Sequence, residues 1–504
     1  MSEQTYRYHI SDCKKYARCP RLFVYSQNED KETFRPFVRL DEEVTELAAQ
    51  MLGIPADSRF TGKRGDSPDL ALAALHEKEW LIKARFEAGQ LRVKVPFLHR
   101  QESGWDLYFL FIGLYPHADD LQFYCDTAWV LEENDIALND IYIIHLNAGY
   151  VREKELDVHQ LFTVSDRFYN SRNHPSALIR DLIFREMKDL TGMLSSMDAC
   201  SLDSMSAPIR TSRCSSRQKC RYYDRCFPFE KEEPDNSIVT LIASQHKHAM
   251  KGEGIRFLKD ADPARIEGSR QQYAQIMADR GTGLFCDRLA LRSWLGRIRY
   301  PVTFIDFEWE RFAIPPYEGM RPYDVLPFEY SMHILKEDGT MEHTVYLSVH
   351  DDRRSLAESL LKDAAPSGSV IAYNAEGAEK IRIRELADLY PDLAEGLLDL
   401  NERMEDLQLP FESGIVYDTR MKGFWSLKVI MGMMNDASYK DLDIQQGMDA
   451  VFEWRSLDQN EEVENSEKII EELKAYCGMD TYAMTVVYAW LKKLASEQPL
   501  YSNI

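Results

Sequence analysis

The chain has 504 residues, with 61 Lys or Arg against 83 Asp or Glu and a formal charge of −22. Hydrophobic residues make up 44%, which excludes wholesale disorder, and the length suits two or three domains at roughly 150 residues each. The acidic balance excludes charge-driven coating of nucleic acid, which needs a local cation excess, but not an enzyme that reaches phosphates through bound metal ions.

The start, Met1-Ser2-Glu3-Gln4, has no basic-then-apolar export pattern. No apolar run approaches the roughly 18 residues of a membrane helix. A cytoplasmic protein with no membrane partner is expected. Residues 1–230 read as one α/β unit, with strands over 91–98 and 107–114, a helix within 119–134 and an apolar run at 141–146. Of the nine cysteines, Cys125, Cys200, Cys286 and Cys477 are scattered and read as small core residues, while Cys13 and Cys19 lie near the start. Cys214, Cys220 and Cys226 are evenly spaced. In a reducing compartment such a cluster reads as metal-binding rather than disulfide-forming. Thiolates suit iron–sulphur or zinc, and the missing Cys-x2-Cys pair disfavours an ordinary zinc ribbon. The same segment is locally basic: Arg210, Arg213, Arg217, Lys219, Arg221 and Arg225 face Asp224, with Tyr222, Tyr223 and Phe227 interleaved. That suits phosphate contact with base stacking, or a solvated loop around an anionic cluster. The run Glu230-Lys231-Glu232-Glu233-Pro234-Asp235-Asn236 marks a boundary. Residues 231–297 then read as a helical connector.

From Pro301 the character changes. Residues 302–307 form an apolar strand, and strands at 328–335 and 343–349 flank Lys336-Glu337-Asp338-Gly339, a hairpin signal. A strand at 369–373 precedes helical periodicity through Leu400, and a long helix covers 466–494. This is an α/β domain with a mixed sheet, over 298–504. Two acids sit in unexpected places. In the first strand, Val302, Phe304, Asp306 and Glu308 share one face and Thr303, Ile305, Phe307 and Trp309 the other. Both faces begin apolar, so the strand is central, and two carboxylates leave its end together. They repel and lose hydration unless a cation lies between them; the alternative is a strand running out into a polar loop. In the last helix Asp480 falls within the apolar stripe Ile470, Leu473, Cys477, Met484, Val487, Leu491 and Leu494, with Tyr476 one turn before it. The alternative there is a buried acid capping a loop. Hard oxygen donors from separate elements suit two Mg²⁺ or Mn²⁺ ions, which can serve phosphodiester hydrolysis.

These residues resemble the DEDD exonucleases of the ribonuclease H-like superfamily. Asp306-Phe307-Glu308 is similar to their first motif and Tyr476-Cys477-Gly478-Met479-Asp480 to the last motif of the tyrosine subtype. Tyr373-Asn374-Ala375-Glu376-Gly377-Ala378-Glu379 is the candidate middle motif. It differs in carrying Ala378 for the aromatic, Glu for Asp, and one extra residue. The resemblance implies Asp306, Glu308, Glu379 and Asp480 as metal ligands, with Glu376 as the rival of Glu379. It implies Tyr476 for orienting water and Asp406 as ligand or support. Residues 298–495 further resemble a bacterial family called domain of unknown function 2779, through Ile314-Pro315, Arg321-Pro322-Tyr323, Pro327-Phe328-Glu329-Tyr330-Ser331-Met332-His333 and Trp425-Ser426-Leu427-Lys428.

Arg18-Cys19-Pro20-Arg21-Leu22-Phe23-Val24-Tyr25 resembles the opening of the iron–sulphur RecB-like nucleases, of PD-(D/E)xK type. The resemblance implies a 4Fe–4S cluster on Cys19, Cys214, Cys220 and Cys226, with zinc as the alternative. The acid and lysine of that nuclease chemistry are missing: Phe109 and Phe111 occupy the expected positions. The expectation is a degenerate first domain that binds single-stranded DNA or RNA, joined to a 3′–5′ exonuclease. A non-catalytic nucleic-acid-binding or complex-assembly protein is the alternative.

Overall fold

The computed structural model describes residues 7–27, 35–209, 211–215, 220–228, 233–434, 447–459 and 466–497. Arg210, Arg217 and Lys219 of the basic segment lie outside the described residues. The chain forms two compact units: Met1–Lys231 with Phe312–Asp324, and Glu232–Arg311 with Val325–Ile504. Both are mixed α/β, the class read from the sequence.

The first unit has strands β1 Tyr8–His9, β2 Arg59–Thr61, β3 Trp80–Ala88, β4 Leu91–Gln101, β5 Gly104–Phe111, β6 Leu138–Leu146 and β7 Phe162–Ser165. They lie in the order β2-β3-β4-β5-β6-β7, with β1 also pairing β4. A short ribbon, β8 Arg167–Tyr169 and β9 Pro175–Leu178, follows. The expected helix is present at Leu121–Glu132. One cluster packs Phe86, Val93, Val95, Leu107 and Phe109 against Trp129 and Val130 of that helix. A second gathers Trp80, Ile82, Phe97, Ile144 and Leu146 with Val44 and Ala48. Ala313 and Ile314 also join this second cluster. Arg152 donates to the Pro315 carbonyl at 2.8 Å and Tyr323 to the Ile112 carbonyl at 2.7 Å. The Ile-Pro and Arg-Pro-Tyr motifs therefore serve packing in the first unit, although they lie between two strands of the second.

The second unit contains β10 Leu284–Cys286, β11 Val302–Arg311, β12 Val325–Leu335, β13 Met341–Leu347, β14 Ser369–Ala372, β15 Met404–Asp406 and β16 Val416–Asp418. Its main sheet runs β13-β12-β11-β14-β15, and β10 pairs β16 separately. β11, β12 and β13 are antiparallel neighbours; β14 runs parallel to β11, and β15 to β14. The β12–β13 turn is the expected hairpin, with Gly339 at φ 88°, a conformation that glycine adopts without a β-carbon clash. Of the expected connector, 231–297, the residues from Glu232 onward fall in this unit. Ala274, Ala278, Leu291 and Trp294 share a core with Val302 and Phe304, and Gln275 donates to Tyr417 Oη at 3.0 Å. The charged surface of this stretch concealed its apolar stripe.

β11 is central, as its two apolar faces required. Val302 and Phe304 face one cluster with Met484, Val487 and Leu491 of the Ser466–Ser496 helix. Ile305 and Phe307 face another with Leu356, Leu360 and Ile383. The helix thus covers the face from which Asp306 and Glu308 project.

Candidate metal centre

A register shift between Glu308 and Trp309 interrupts the β11–β12 ladder beside the acids, and pairing resumes through Arg311. Such bulges re-aim side chains at strand ends. Asp306, Glu308 and Asp480 each present a carboxylate oxygen, and these oxygens lie within 4.8 Å of one another. Asp480 is buried at 7% exposure, and the two strand acids are half-buried. Burial, together with the charges of Asp480, Glu379, Glu308 and Glu329, pushes Asp306 well above the usual carboxylate range. Glu308 is raised likewise, by burial and then by Asp480 and Glu329, while Lys428 opposes the shift. Like charges this close cannot all ionise without a cation.

The middle-motif choice resolves on burial. Glu376, the rival, is exposed and pairs with Lys380 four residues on. Glu379 opens the helix Glu379–Leu389, is 2% exposed, and has Oε2 without a hydrogen-bond partner. Burial raises its pKa to about 8, and the charges of Asp406 and Asp480 add to the rise. Glu379 is outside the convergent trio but acts electrostatically on Asp306. Asp406 Oδ1 accepts from the Asn374 amide at 3.0 Å and the Gln408 amide at 2.8 Å. It thereby holds the turn after β14, where Asn374 sits at φ 63°.

Tyr476 is buried at 3% exposure, and Lys428 donates to its hydroxyl at 3.1 Å. Burial and three neighbouring carboxylates raise the phenol far above its ordinary value, so it keeps its proton. Cys477, expected as a small core residue, is fully buried and also lies beside the acids. Its Sγ lies 3.8 Å from the Asp306 carbonyl and 3.9 Å from Asp306 Oδ2. Sequence reasoning also passed over Glu329 as an acid. Glu329 stands opposite Glu308 in the ladder, is fully buried, and neither of its carboxylate oxygens has a hydrogen-bond partner among the described residues. Burial raises it to about 8, against the charge of Lys474. The signal was present: Glu329 shares a strand face with Ser331 and His333 in an otherwise apolar segment.

The cysteines expected to form a second centre lie in the first unit. Cys19, Cys214, Cys220 and Cys226 line one pocket, with Arg18, Tyr25 and Arg213 among its walls. All four are free thiols. Arg18 donates to the Arg213 carbonyl at 2.8 Å, which ties the start of the unit to its end. A single zinc ion at about 2.3 Å from each sulphur would bring thiols to about 3.8 Å from one another. Among the described residues no three of these thiols lie within 4.8 Å of one another. Phe109 is 1% exposed and packs on Phe123 and Tyr124, at ring distances of 6.0 and 4.6 Å.

Residues 303–426 match the model of a family described as Domain of unknown function (DUF2779). That match bears out the resemblance to the family. The DUF2779 segment takes in Asp306, Glu308, Glu379 and Asp406 and stops short of Tyr476 and Asp480. No curated protein matches the chain. Among solved structures, the family B DNA polymerase from the hyperthermophilic archaeon Pyrobaculum calidifontis is similar over 39% of this chain and 24% of its own, at 15% identity and a TM-score of 0.24. The chain thus spans about a quarter of that polymerase's length. Among the described residues, no helix is long and apolar enough to cross a membrane.

Proposed function

We propose that the second unit is a metal-dependent phosphodiester hydrolase, a 3′–5′ exonuclease of the ribonuclease H-like DEDD kind acting on single-stranded DNA or RNA. The observation that carries this reading is the convergence of Asp306, Glu308 and Asp480 within 4.8 Å, from a central strand and a helix. Their oxygen chemistry suits Mg²⁺ or Mn²⁺, and the unpartnered Glu379 Oε2 offers a further donor. Two such ions would supply positive charge against the phosphate and Lewis acidity toward water. The chain's own residues do the rest. Asp306, Glu308, Glu379 and Asp480 would hold the ions, Asp406 fixes the turn that leads to Glu379, and protonated Tyr476 would orient the attacking water. The water oxygen bonds to phosphorus, the bond from phosphorus to the 3′ oxygen breaks, and that oxygen leaves with a proton. A nucleoside 5′-monophosphate is released.

The first unit is proposed to grip nucleic acid, with a 4Fe–4S cluster on its four thiols joining its ends. Labelled single-stranded DNA and RNA incubated with Mg²⁺, Mn²⁺ or EDTA test the activity. Metal-dependent nucleotide release that Asp306→Ala abolishes, with circular dichroism unchanged, is the expected result. Strand binding without release in any divalent metal would support the non-catalytic binding reading instead.

A further inference from the structure

Lys428 lies on the short helix Leu427–Gly432, whose first turn is capped by Ser426. Its ammonium donates to Tyr476 Oη at 3.1 Å and sits 5.0 Å from the centre of that ring. An ammonium has donors and no acceptor. The bond therefore runs one way, from lysine to the phenol oxygen. A phenol has a single hydrogen, and with its oxygen already accepting, that hydrogen must go to a different neighbour. Tyr476 Oη and Glu308 Oε2 both lie within 4 Å of the position a β-carbon on Gly447 would occupy, at 3.9 and 3.8 Å. The hydroxyl thus borders the space beside the acids. Lys428 also opposes the upward shift of Glu308.

We propose that Lys428 is a positioning residue for the hydrolysis. It fixes the Tyr476 oxygen as an acceptor, so that the phenol hydrogen points to the attacking water or a phosphate oxygen beside the carboxylates. This inference rests on the exonuclease reading and adds to it a residue that acts through tyrosine rather than on substrate. Without the lysine the hydroxyl turns freely, and a fraction of molecules present lone pairs instead of hydrogen to the nucleophile. The chemical step suffers; strand binding and metal binding do not.

The test compares steady-state Mn²⁺-dependent release from a labelled single-stranded oligonucleotide by wild type, Lys428→Met, Lys428→Arg, Tyr476→Phe and the Lys428→Met/Tyr476→Phe double variant, with the Mn²⁺ half-saturation measured for each. Lys428→Met is expected to lower kcat about tenfold to a hundredfold with KM within about twofold, as for loss of one oriented hydrogen bond in the transition state. Lys428→Arg, which keeps a donor, recovers most of the rate. The double variant is no slower than Tyr476→Phe alone, because the lysine has nothing left to position. Three results overturn the inference: losses that multiply in the double variant, an effect confined to KM, or full activity in Lys428→Met beside an active wild type. A wild type that releases nothing overturns the exonuclease reading and this inference together.

Discussion

The two units close comparable strand ends in opposite ways. In the first, Phe109 of β5 is sealed under Phe123 and Tyr124, so the place where the resemblance puts an acid is filled with apolar rings. In the second, β11 begins just as apolar, with Val302 and Phe304, and then projects Asp306 and Glu308 toward Asp480. Rings at a strand end give packing and leave no room for a cation. Acids at a strand end cost stability until an ion arrives. The contrast separates a strand that packs its rings from one that gathers its charges.

The largest expected effect lies in the second unit. Asp480→Asn keeps the shape of the side chain and removes its charge. It should lower kcat about 10²- to 10³-fold, the usual cost of losing one charge-stabilising group, in the nucleotide-release assay. The converse change, Phe109→Glu, restores an acid to the first unit. It should destabilise that unit by about 3–5 kcal/mol in urea unfolding, from the lost ring and the buried carboxyl, and add no nuclease activity. Gain of metal-dependent cleavage there would break the comparison.

A smaller effect tests the cost of acids in the second unit. Glu329→Leu removes a fully buried carboxyl without hydrogen-bond partners and should stabilise the metal-free protein by about 1–3 kcal/mol. Differential scanning calorimetry in EDTA should show a higher Tm. A fall would mean that Glu329 is held by something other than its neighbours on the sheet. The pH dependence has a definite sign. Glu329 and Glu379 are raised from 4.5 to about 8 in the fold. The folded state therefore binds protons that the unfolded state has released. The stability these groups contribute is full below pH 4.5 and is lost as pH rises to about 8. Without metal, Tm should fall between pH 5.5 and 8.5, by about 2–4 °C for each kcal/mol lost. Mn²⁺ should reverse the trend, because ion binding displaces the protons.

Much of this centre was legible in the sequence because simple periodicities carry it. Period two put Asp306 and Glu308 on one face, and the helical stripe put Asp480 on the covered side of its helix. The choice between Glu376 and Glu379 was not legible, since both lie in one turn-rich segment and only the start of the helix at Glu379 buries one and exposes the other. Glu329 went unseen as an acid because it sits within a quoted motif whose neighbours are apolar. Cys477 looked like any small core residue, since proximity to Asp306 depends on how the helix crosses the sheet. Segment 312–324 was beyond reach for a different reason. Chain order places it between β11 and β12, and only tertiary packing shows that Ile314 and Tyr323 complete the first unit.

Mn²⁺ binding followed by electron paramagnetic resonance, on wild type and Asp306→Asn in parallel, tests the central claim most directly. The account predicts two bound ions per chain in the wild type and loss of tight binding in the variant, with the fold preserved. Equal Mn²⁺ binding by both proteins would show that Asp306, Glu308 and Asp480 do not form a metal centre.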